Sequence, residues 1–184
     1  MTLHNPVMLE KVIENLIYDE DGIYVDATAG AGGHSRAIMN TISNRGCLLA
    51  FEIDPFLAQN LKQQAQNNMV IINNSYVFLR NWLDYLGIRK VNGILLDCGI
   101  SSYHLDVCGR GFTYRENQPL DMRYSIYQKK TAEMVINEYP VARLERIFKE
   151  YSDIFYARKL AELIDKKRRE IKIKTTYQIV EIFY

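Results

Sequence analysis

The chain has 184 residues, of which 48% are hydrophobic and 24% charged, a balance typical of a folded domain and not of a disordered chain. Its formal net charge of +1 provides no general attraction to nucleic acid, so such a partner would have to bind a local patch. Three cysteines without CxxC spacing indicate reduced thiols and no zinc site. The sequence shows neither a basic and apolar leader nor an apolar run of membrane-spanning length, so we expect a cytoplasmic protein without membrane contact.

Aliphatic segments alternate with amphipathic ones up to residue 105. The predicted strands are GIYVDA, CLLAFEID, MVIINN and VNGILLDCG. The segments between them, HSRAIMNTI, PFLAQNLKQQAQ and YVFLRNWLDYL, have apolar residues at helical spacing and are predicted helices. This alternation predicts βαβ units and a mostly parallel sheet, in which ligands bind beyond the carboxyl ends of the strands.

The pattern changes after residue 105, where we place a domain boundary. Residues 106–125 are rich in turn formers and lack sustained periodicity. The later segments TAEMVINEY, VARLERIFKEYSDIFYARKLAELIDKKRREIK and TTYQIVEIF are predicted helices. The expected organisation is a first domain over residues 1–105 and a mostly helical second domain over residues 106–184.

The segment VDATAGAGGHS joins the first strand to the first helix through Gly30, Gly32 and Gly33. A dinucleotide-binding loop follows the pattern G-x-G-x-x-G/A, and Ser35 stands where its third glycine should be. S-adenosylmethionine carries no phosphate, so a looser glycine turn is sufficient beneath it. A turn that needs glycine only for its backbone geometry is a further interpretation.

Polar residues follow the next strands. Glu52 ends the second strand, about twenty residues after the glycines, where a carboxylate can accept hydrogen bonds from the ribose hydroxyls of an adenosine cofactor. Asp54 precedes Pro55 and is predicted to cap the next helix. Tyr76 follows the third strand and could either contact adenine or pack in the core.

Asp97 directly follows the fourth strand. Its carboxylate is therefore expected at the mouth of the crevice, against cofactor or substrate. His34 and His104 are expected at the same rim, either as site residues or as ordinary hydrogen-bonded loop or cap residues. Because the chain has only three histidines, we infer no metal site.

Several longer stretches are similar to a known family. The segments HNPVMLEKV, YVDATAGAGGHS, GILLDCGISS, RGFTYRENQPLDMR, IFKEYSD, FYARKLAELI and TTYQIVEI occur in this order along almost the whole chain. With these segments the sequence resembles the bacterial 16S rRNA (cytosine-N4)-methyltransferases of the RsmH (MraW) type. The resemblance implies an α/β fold: a Rossmann-like S-adenosylmethionine-dependent methyltransferase sheet, incomplete here, with a helical insertion domain after the fourth strand.

The resemblance, together with these patterns, implies a cofactor-binding set. Its members are Gly30, Gly32, Gly33, His34, Glu52, Tyr76, Asp97 and His104. Glu52 stands where the family usually has aspartate, Tyr76 where it often has phenylalanine and His104 where glutamine is common. Family members are considerably longer, so the resemblance implies a C-terminally truncated chain whose open sheet edge favours self-association.

The chemistry of an exocyclic amine guides the choice of catalytic residues. Cytosine N4 is a poor nucleophile, so an enzyme has to orient it and accept hydrogen bonds from its protons, which carboxylates can do. Asp97 and Asp121 are the candidates.

The expected RNA-binding residues combine cations with aromatic surfaces and are Arg110, Phe112, Tyr114, Arg115 and Arg123. An ordinary turn with a packed Phe112 is the alternative there, and the basic run DKKRREIKIK could contact phosphates or complement a helix C-terminus.

The predicted function is S-adenosylmethionine-dependent methylation of the N4 amine of a cytidine in 16S rRNA of the small ribosomal subunit. The alternative is a truncated, non-catalytic remnant that binds cofactor, RNA or both. An NAD-dependent oxidoreductase is disfavoured by Ser35 and by the lack of a hydride-transfer constellation.

Overall fold

The computed structural model describes residues 6–183 and forms two compact units that divide after Ser101. We refer to residues 6–101 as the sheet unit and to residues 102–183 as the helical unit. The boundary expected from the sequence lies at residue 105, and the first helix of the helical unit begins a few residues before it.

The sheet unit is built on strands β1 (Ile23–Asp26), β2 (Cys47–Phe51), β3 (Met69–Ile72) and β4 (Gly93–Leu95). The strands are parallel and lie in the order β3-β2-β1-β4. Val25 of β1 is in register with Leu49 of β2 on one side and with Ile94 of β4 on the other. Each strand lies within a segment predicted as a strand, and the expected parallel α/β sheet is confirmed.

Helices of the sheet unit are α1 (Leu9–Leu16), α2 (Gly33–Thr41), α3 (Pro55–Gln64) and α4 (Leu79–Tyr85), the last preceded by a 3-10 turn over Tyr76–Phe78. The three helices predicted between the strands are confirmed. Asp54 caps α3 as predicted, because its Oδ1 accepts the N–H of Phe56 at 2.9 Å. Helix α1 is not predicted from the sequence, since it is only eight residues long and begins without a capping side chain.

Alternate side chains of the strands point to opposite faces of the sheet, and helices cover both faces. On one face, Tyr24 and Leu48 pack with Ile38 of α2 and with apolar residues of α1. On the other face, Leu49 packs in a cluster with Trp82 of α4. Burial on two sides explains why the strands read as aliphatic runs without polar alternation.

Strand β4 is the least covered strand. Within residues 6–183 it pairs with β1 alone, and Ile94 and Leu96 are 49% and 51% exposed. The two side chains belong to the same face because residues two apart in extended chain point the same way. The open sheet edge expected from the sequence is therefore present in the described part of the chain.

The helical unit contains α5 (Ser102–Asp106), α6 (Ala132–Glu138), α7 (Val141–Tyr151), α8 (Ala157–Glu170) and α9 (Thr176–Phe183). Its core includes Leu144 of α7, Leu160 and Ile164 of α8, and Ile173. The long helical segment predicted from residue 141 onward is divided into α7 and α8 by residues 152–156, because Ser152 adopts an extended conformation. None of the helices within residues 6–183 is long and apolar enough to cross a membrane.

Candidate cofactor site and nucleic-acid interface

The loop between β1 and α2 lies at the carboxyl end of the sheet and depends on glycine for its shape. Gly30 and Gly32 have φ angles of 54° and 85°, in the left-handed region that glycine adopts without strain. Among the described residues, a Cβ on Gly30 would approach the Thr28 carbonyl oxygen most closely, at 3.9 Å. The predicted glycine turn is present, and there is space for a ligand against its backbone at Gly30.

Gly32 and Gly33 allow α2 to begin close to neighbouring segments. A Cβ on Gly32 would lie 2.5 Å from Cδ2 of Leu61 in α3, and a Cβ on Gly33 would collide with the ring of Pro6. These approaches within the protein are sufficient reason for glycine at both positions. A cofactor contact of Gly32 and Gly33 stays a prediction.

Glu52 connects the end of β2 to the glycine loop. Its Oε2 accepts the N–H of Gly30, and its Oε1 accepts the N–H of Asp54, both at 2.7 Å. The residue is buried, so its carboxylate is held between two backbone segments and not in solvent. These two bonds place the Glu52 carboxylate between the end of β2 and the glycine loop, and its contact with ribose hydroxyls stays a prediction.

Asp26, Thr28 and Ser35 form a hydrogen-bond network that the sequence-based site omits. Oδ2 of the buried Asp26 accepts the Ser35 hydroxyl at 2.6 Å, and its Oδ1 accepts the N–H of Thr28 at 3.2 Å. Burial raises the pKa of Asp26 above its ordinary value, while the hydrogen bond from Ser35 opposes this shift. The sequence does contain a signal for Asp26. It is an acidic residue at the end of a buried strand, as Glu52 and Asp97 are acidic residues that follow strands.

Asp97 and His34 lie next to each other at this edge. Oδ2 of Asp97 is 3.8 Å from Nδ1 of His34, an ion-pair distance when the imidazole is protonated. Nε2 of His34 lies 3.1 Å from the carbonyl oxygen of Val7, which orients the ring. The Asp97 side chain is 44% exposed while that of His34 is buried. The Asp97 carboxylate is therefore accessible to solvent at the carboxyl edge of the sheet.

Tyr76 begins the 3-10 turn that follows β3, and it is 41% exposed. This exposure excludes the interpretation of Tyr76 as an ordinary core tyrosine. The ring is accessible for stacking, and its contact with adenine stays a prediction. The sheet unit thus links Gly30 with Glu52 and His34 with Asp97 by direct contacts at the carboxyl edge of the sheet.

In the helical unit, His104 lies in an aromatic cluster. The residue is 3% exposed, and its ring makes edge contacts with Phe112 and Tyr124 at centroid distances of 5.0 and 4.9 Å. Phe112 is half-buried and also contacts Tyr124. This packing favours the turn interpretation of Phe112, and the cofactor contact of His104 stays a prediction.

Asp121 and Arg123 bind each other. The guanidinium donates to both carboxylate oxygens of Asp121, from Nε at 2.7 Å and from Nη2 at 2.6 Å. Nη1 of Arg123 donates to the carbonyl oxygens of Ile126 and Gln128. The hydrogen bonds from Arg123 hold the pKa of Asp121 below its ordinary value, which makes it a weak base. The predicted roles of Asp121 in catalysis and of Arg123 in RNA binding remain predictions.

The remaining residues of the expected RNA surface differ in exposure. Tyr114 is 76% exposed. Nη1 of Arg115 lies 3.5 Å from Asp106 in an exposed ion pair, which is worth little energy and is easily exchanged for a phosphate. Nη1 of Arg110 donates to the carbonyl oxygens of Arg123 and Tyr124. Tyr114 and Arg115 are therefore the accessible members of this set.

Three of the six cations in the basic run at the end of α8 form ion pairs within the unit. Arg168 and Arg169 both form ion pairs with Asp165, at 2.7 and 2.5 Å. Lys172 forms an ion pair with Glu133 at 2.7 Å. These contacts favour the helix-terminus interpretation of the run over phosphate binding.

The sequence model of the MraW methylase family matches residues 1–184 and so includes both units. The chain belongs to the MraW methylase family. Membership confirms the expected family and identifies the parallel sheet as the Rossmann-like α/β sheet of a methylase.

Curated relatives of this MraW methylase family member align with nearly all of the chain. It is 40% identical over 181 residues to Ribosomal RNA small subunit methyltransferase H of Clostridium botulinum (strain Loch Maree / Type A3), covering 97% of this chain and 59% of the relative. Proteins of the same name from Mycoplasmopsis pulmonis and Caldicellulosiruptor bescii are 40% and 42% identical and cover 99% and 96% of the chain. The chain spans 61% and 58% of those two relatives, so it matches about three fifths of their length.

Proposed function

We propose that this MraW methylase family member transfers a methyl group from S-adenosylmethionine to the exocyclic N4 amine of a cytidine in 16S rRNA. The observation that carries the proposal is the juxtaposition, at the carboxyl edge of one parallel sheet, of the Glu52-bound glycine loop and the exposed Asp97 carboxylate. Ligands of such sheets bind beyond this edge. The relatives named Ribosomal RNA small subunit methyltransferase H support the substrate class.

The residues at the edge fit an adenosine cofactor without a pyrophosphate. Glu52 can accept ribose hydroxyls, the backbone at Gly30 has space beside it, and Tyr76 offers an exposed ring. A dinucleotide would instead need glycine at position 35, where a fully buried Ser35 donates to Asp26. When bound, S-adenosylmethionine supplies an electrophilic methyl group on a sulfonium.

Asp97 is the residue proposed to act on the amine. Its carboxylate is exposed beyond β4 and ionised carboxylates are acceptors only, so it can accept hydrogen bonds from the N4 protons and orient the nitrogen. Nδ1 of His34 lies 3.8 Å from this carboxylate, at an ion-pair distance when the imidazole is protonated. Asp97 thus combines orientation with proton acceptance as the new bond forms.

RNA contacts are proposed for residues 106–125 of the helical unit, which are rich in turn formers and are called the turn segment here. Tyr114 and Arg115 offer an exposed ring next to an exposed cation, the combination that binds an unstacked base and its phosphate. Arg110, Phe112, Asp121 and Arg123 support the shape of this segment through the contacts described above and remain candidates for direct contact. Because small ribosomal subunits are assembled in the cytoplasm, we propose that the protein acts there.

The proposal is tested by measuring cofactor binding and methyl transfer separately. Calorimetry with S-adenosylmethionine, with NAD as the control ligand, is expected to show binding of the former alone. Radiolabelled methyl transfer to small subunits that lack the modification, followed by nucleoside analysis, is expected to yield N4-methylcytidine. Binding without transfer would instead support the non-catalytic alternative, and binding of NAD alone would overturn the methyltransferase assignment.

RNA recognition is tested with two exposed tyrosines of the helical unit. Tyr114→Ala is expected to weaken binding of a single-stranded 16S rRNA fragment by about 1–3 kcal/mol, the usual contribution of one stacked base. Tyr151→Ala is the matched control, since Tyr151 is 80% exposed and lies in α7, away from the turn segment in sequence. Equal effects of the two substitutions would argue against a stacking role for Tyr114.

A further inference from the structure

Asp97 is attached to the first strand by a side chain. The hydroxyl oxygen of Thr28 accepts the N–H of Asp97 at 2.8 Å, although the two residues are 69 positions apart. Thr28 is itself placed by Asp26, whose buried carboxylate accepts the Thr28 N–H. A threonine in the glycine-loop segment thus holds the backbone from which the Asp97 carboxylate projects.

The Thr28 hydroxyl oxygen replaces a backbone acceptor just beyond the end of β1. The paired region of β1 and β4 ends at Asp26 and Leu95, after which the N–H of Ala27 donates to the Leu95 carbonyl oxygen at 2.9 Å. Along the chain that leaves β4, the next N–H group that faces β1 is that of Asp97. Because the chain after Ala27 enters the glycine turn, the Thr28 side chain accepts this N–H in place of a further strand residue.

The carboxylate of Asp97 depends on this attachment for its position. The carboxylate is nearly half exposed, and its ion-pair contact with His34 has the long distance of 3.8 Å. Such a contact restrains a side chain only weakly. The position of the carboxylate is therefore determined mainly by the backbone at residue 97, which Thr28 holds.

We propose that Thr28 is a positioning residue for Asp97: its hydroxyl fixes the Asp97 backbone so that the carboxylate meets the amine of the substrate in line with the methyl donor. The catalytic part of this inference rests on the proposed function, whereas the attachment itself does not. A displacement of about 1 Å at a reacting group can reduce turnover by about 100-fold. Thr28 needs no contact with cofactor or substrate for this role.

The test compares Thr28→Val, which keeps the shape and removes the acceptor, with Thr28→Ser, which restores the hydroxyl. Thr41→Val in α2 is the matched control, because its hydroxyl donates to the Ala37 carbonyl oxygen of the same helix. In Thr28→Val, the Asp97 amide is expected to exchange its hydrogen about 10-fold faster or more in NMR measurements. Thr28→Ser and Thr41→Val are expected to keep the wild-type exchange rate at Asp97.

Activity measurements separate positioning from ligand binding. For Thr28→Val we expect kcat to fall by about 10- to 100-fold while the Kd of S-adenosylmethionine changes by less than about threefold, with kcat largely restored in Thr28→Ser. A Kd that rises as much as kcat falls would show that Thr28 acts on cofactor binding, directly or through Asp97, and unchanged Asp97 exchange would show that the attachment does not exist. Either result overturns the proposal. If wild-type protein transfers no methyl group but Thr28→Val still accelerates Asp97 exchange, the proposed function fails and the attachment stands.

Discussion

The candidate site carboxylates of the sheet unit, Glu52 and Asp97, differ from Asp121 of the helical unit in what holds them. The Glu52 carboxylate accepts the backbone N–H groups of Gly30 and Asp54. The backbone N–H of Asp97 donates to the Thr28 hydroxyl oxygen, and its carboxylate lies 3.8 Å from Nδ1 of His34. Asp121 is held by two hydrogen bonds from a guanidinium. Neutral donors place a carboxylate without cancelling its charge, whereas a bidentate arginine neutralises it and lowers its basicity.

This difference indicates separate tasks for the two units. The sheet unit keeps the charge of Asp97 accessible at an edge where ligands bind. In the helical unit, Arg123 binds Asp121 and the carbonyl oxygens of Ile126 and Gln128, while Tyr114 is exposed. Chemistry at the sheet and recognition by the turn segment are therefore the expected division of roles.

The largest expected effect separates Asp97 from Asp121. Asp97→Asn retains size and removes the charge of the acceptor, so methyl transfer is expected to fall by about 100- to 10,000-fold. Asp121→Asn is expected to reduce transfer much less, because its charge is already paired with Arg123. Single-turnover rates with saturating cofactor measure both effects. A larger loss in Asp121→Asn would reverse the assignment of the catalytic carboxylate.

The next effect concerns cofactor affinity. Glu52→Ala is expected to weaken S-adenosylmethionine binding by about 1.5–3 kcal/mol, the range for hydrogen bonds to a charged group. It also releases the N–H of Gly30, so the amide signal of Gly30 is expected to shift in NMR spectra of the unliganded protein. Glu14→Ala in the exposed part of α1 is the control. Unchanged affinity in a folded Glu52→Ala protein would place the ribose contact elsewhere.

The contributions of Asp26 and Asp121 to stability should depend on pH with opposite sign. The folded-state pKa of Asp26 is raised by burial, so its ionisation opposes folding as pH rises above about 4. The folded-state pKa of Asp121 is lowered by Arg123, so its ionised form stabilises folding above about pH 4, and this contribution is lost as pH falls through the folded pKa.

Two amide substitutions measure these contributions. Asp26→Asn is expected to gain stability relative to wild type as pH rises towards neutrality. Its unfolding is monitored by the fluorescence of Trp82, the single tryptophan of the chain. Asp121→Asn is expected to lose stability relative to wild type at neutral pH and to approach it in acid, followed by circular dichroism. Parallel pH profiles for the two variants would contradict the contrast between the units.

The smallest expected effect concerns the open edge of the sheet. Ile94 is about half exposed on β4, and an exposed apolar edge strand favours pairing with another chain. Ile94→Lys is expected to reduce concentration-dependent light scattering of the protein, because a lysine opposes edge pairing. Tyr18→Lys is a suitable control, since Tyr18 is 74% exposed outside the strands. Similar scattering by both variants and by wild type would show that this edge does not cause association.

Local sequence was sufficient for the strands, for most of the helices and for the edge at which the candidate site residues emerge. Aliphatic runs predict β1 to β4, Asp54 before Pro55 predicts the start of α3, and the position after a strand predicts where Glu52 and Asp97 emerge. These features depend on neighbouring residues and on the rule that parallel strands end at a common edge. Helix α1 and the break between α7 and α8 were not predicted. A short helix offers little periodicity, and two adjoining helices differ in sequence from one long helix only at their ends, which are the least predictable part of a helix.

The partners of the polar side chains were decided by the tertiary structure. Nothing in the spacing indicates that Glu52 binds the Gly30 N–H, that His104 is buried against Phe112, or that Thr28 accepts the amide of a residue 69 positions later. Even Asp121 and Arg123, two residues apart, could equally face solvent or RNA in an irregular segment. The physical reason is that a polar side chain has several energetically similar partners in an open chain. Only the folded backbone determines which of them lies within hydrogen-bond distance, and thereby which charge stays accessible for chemistry.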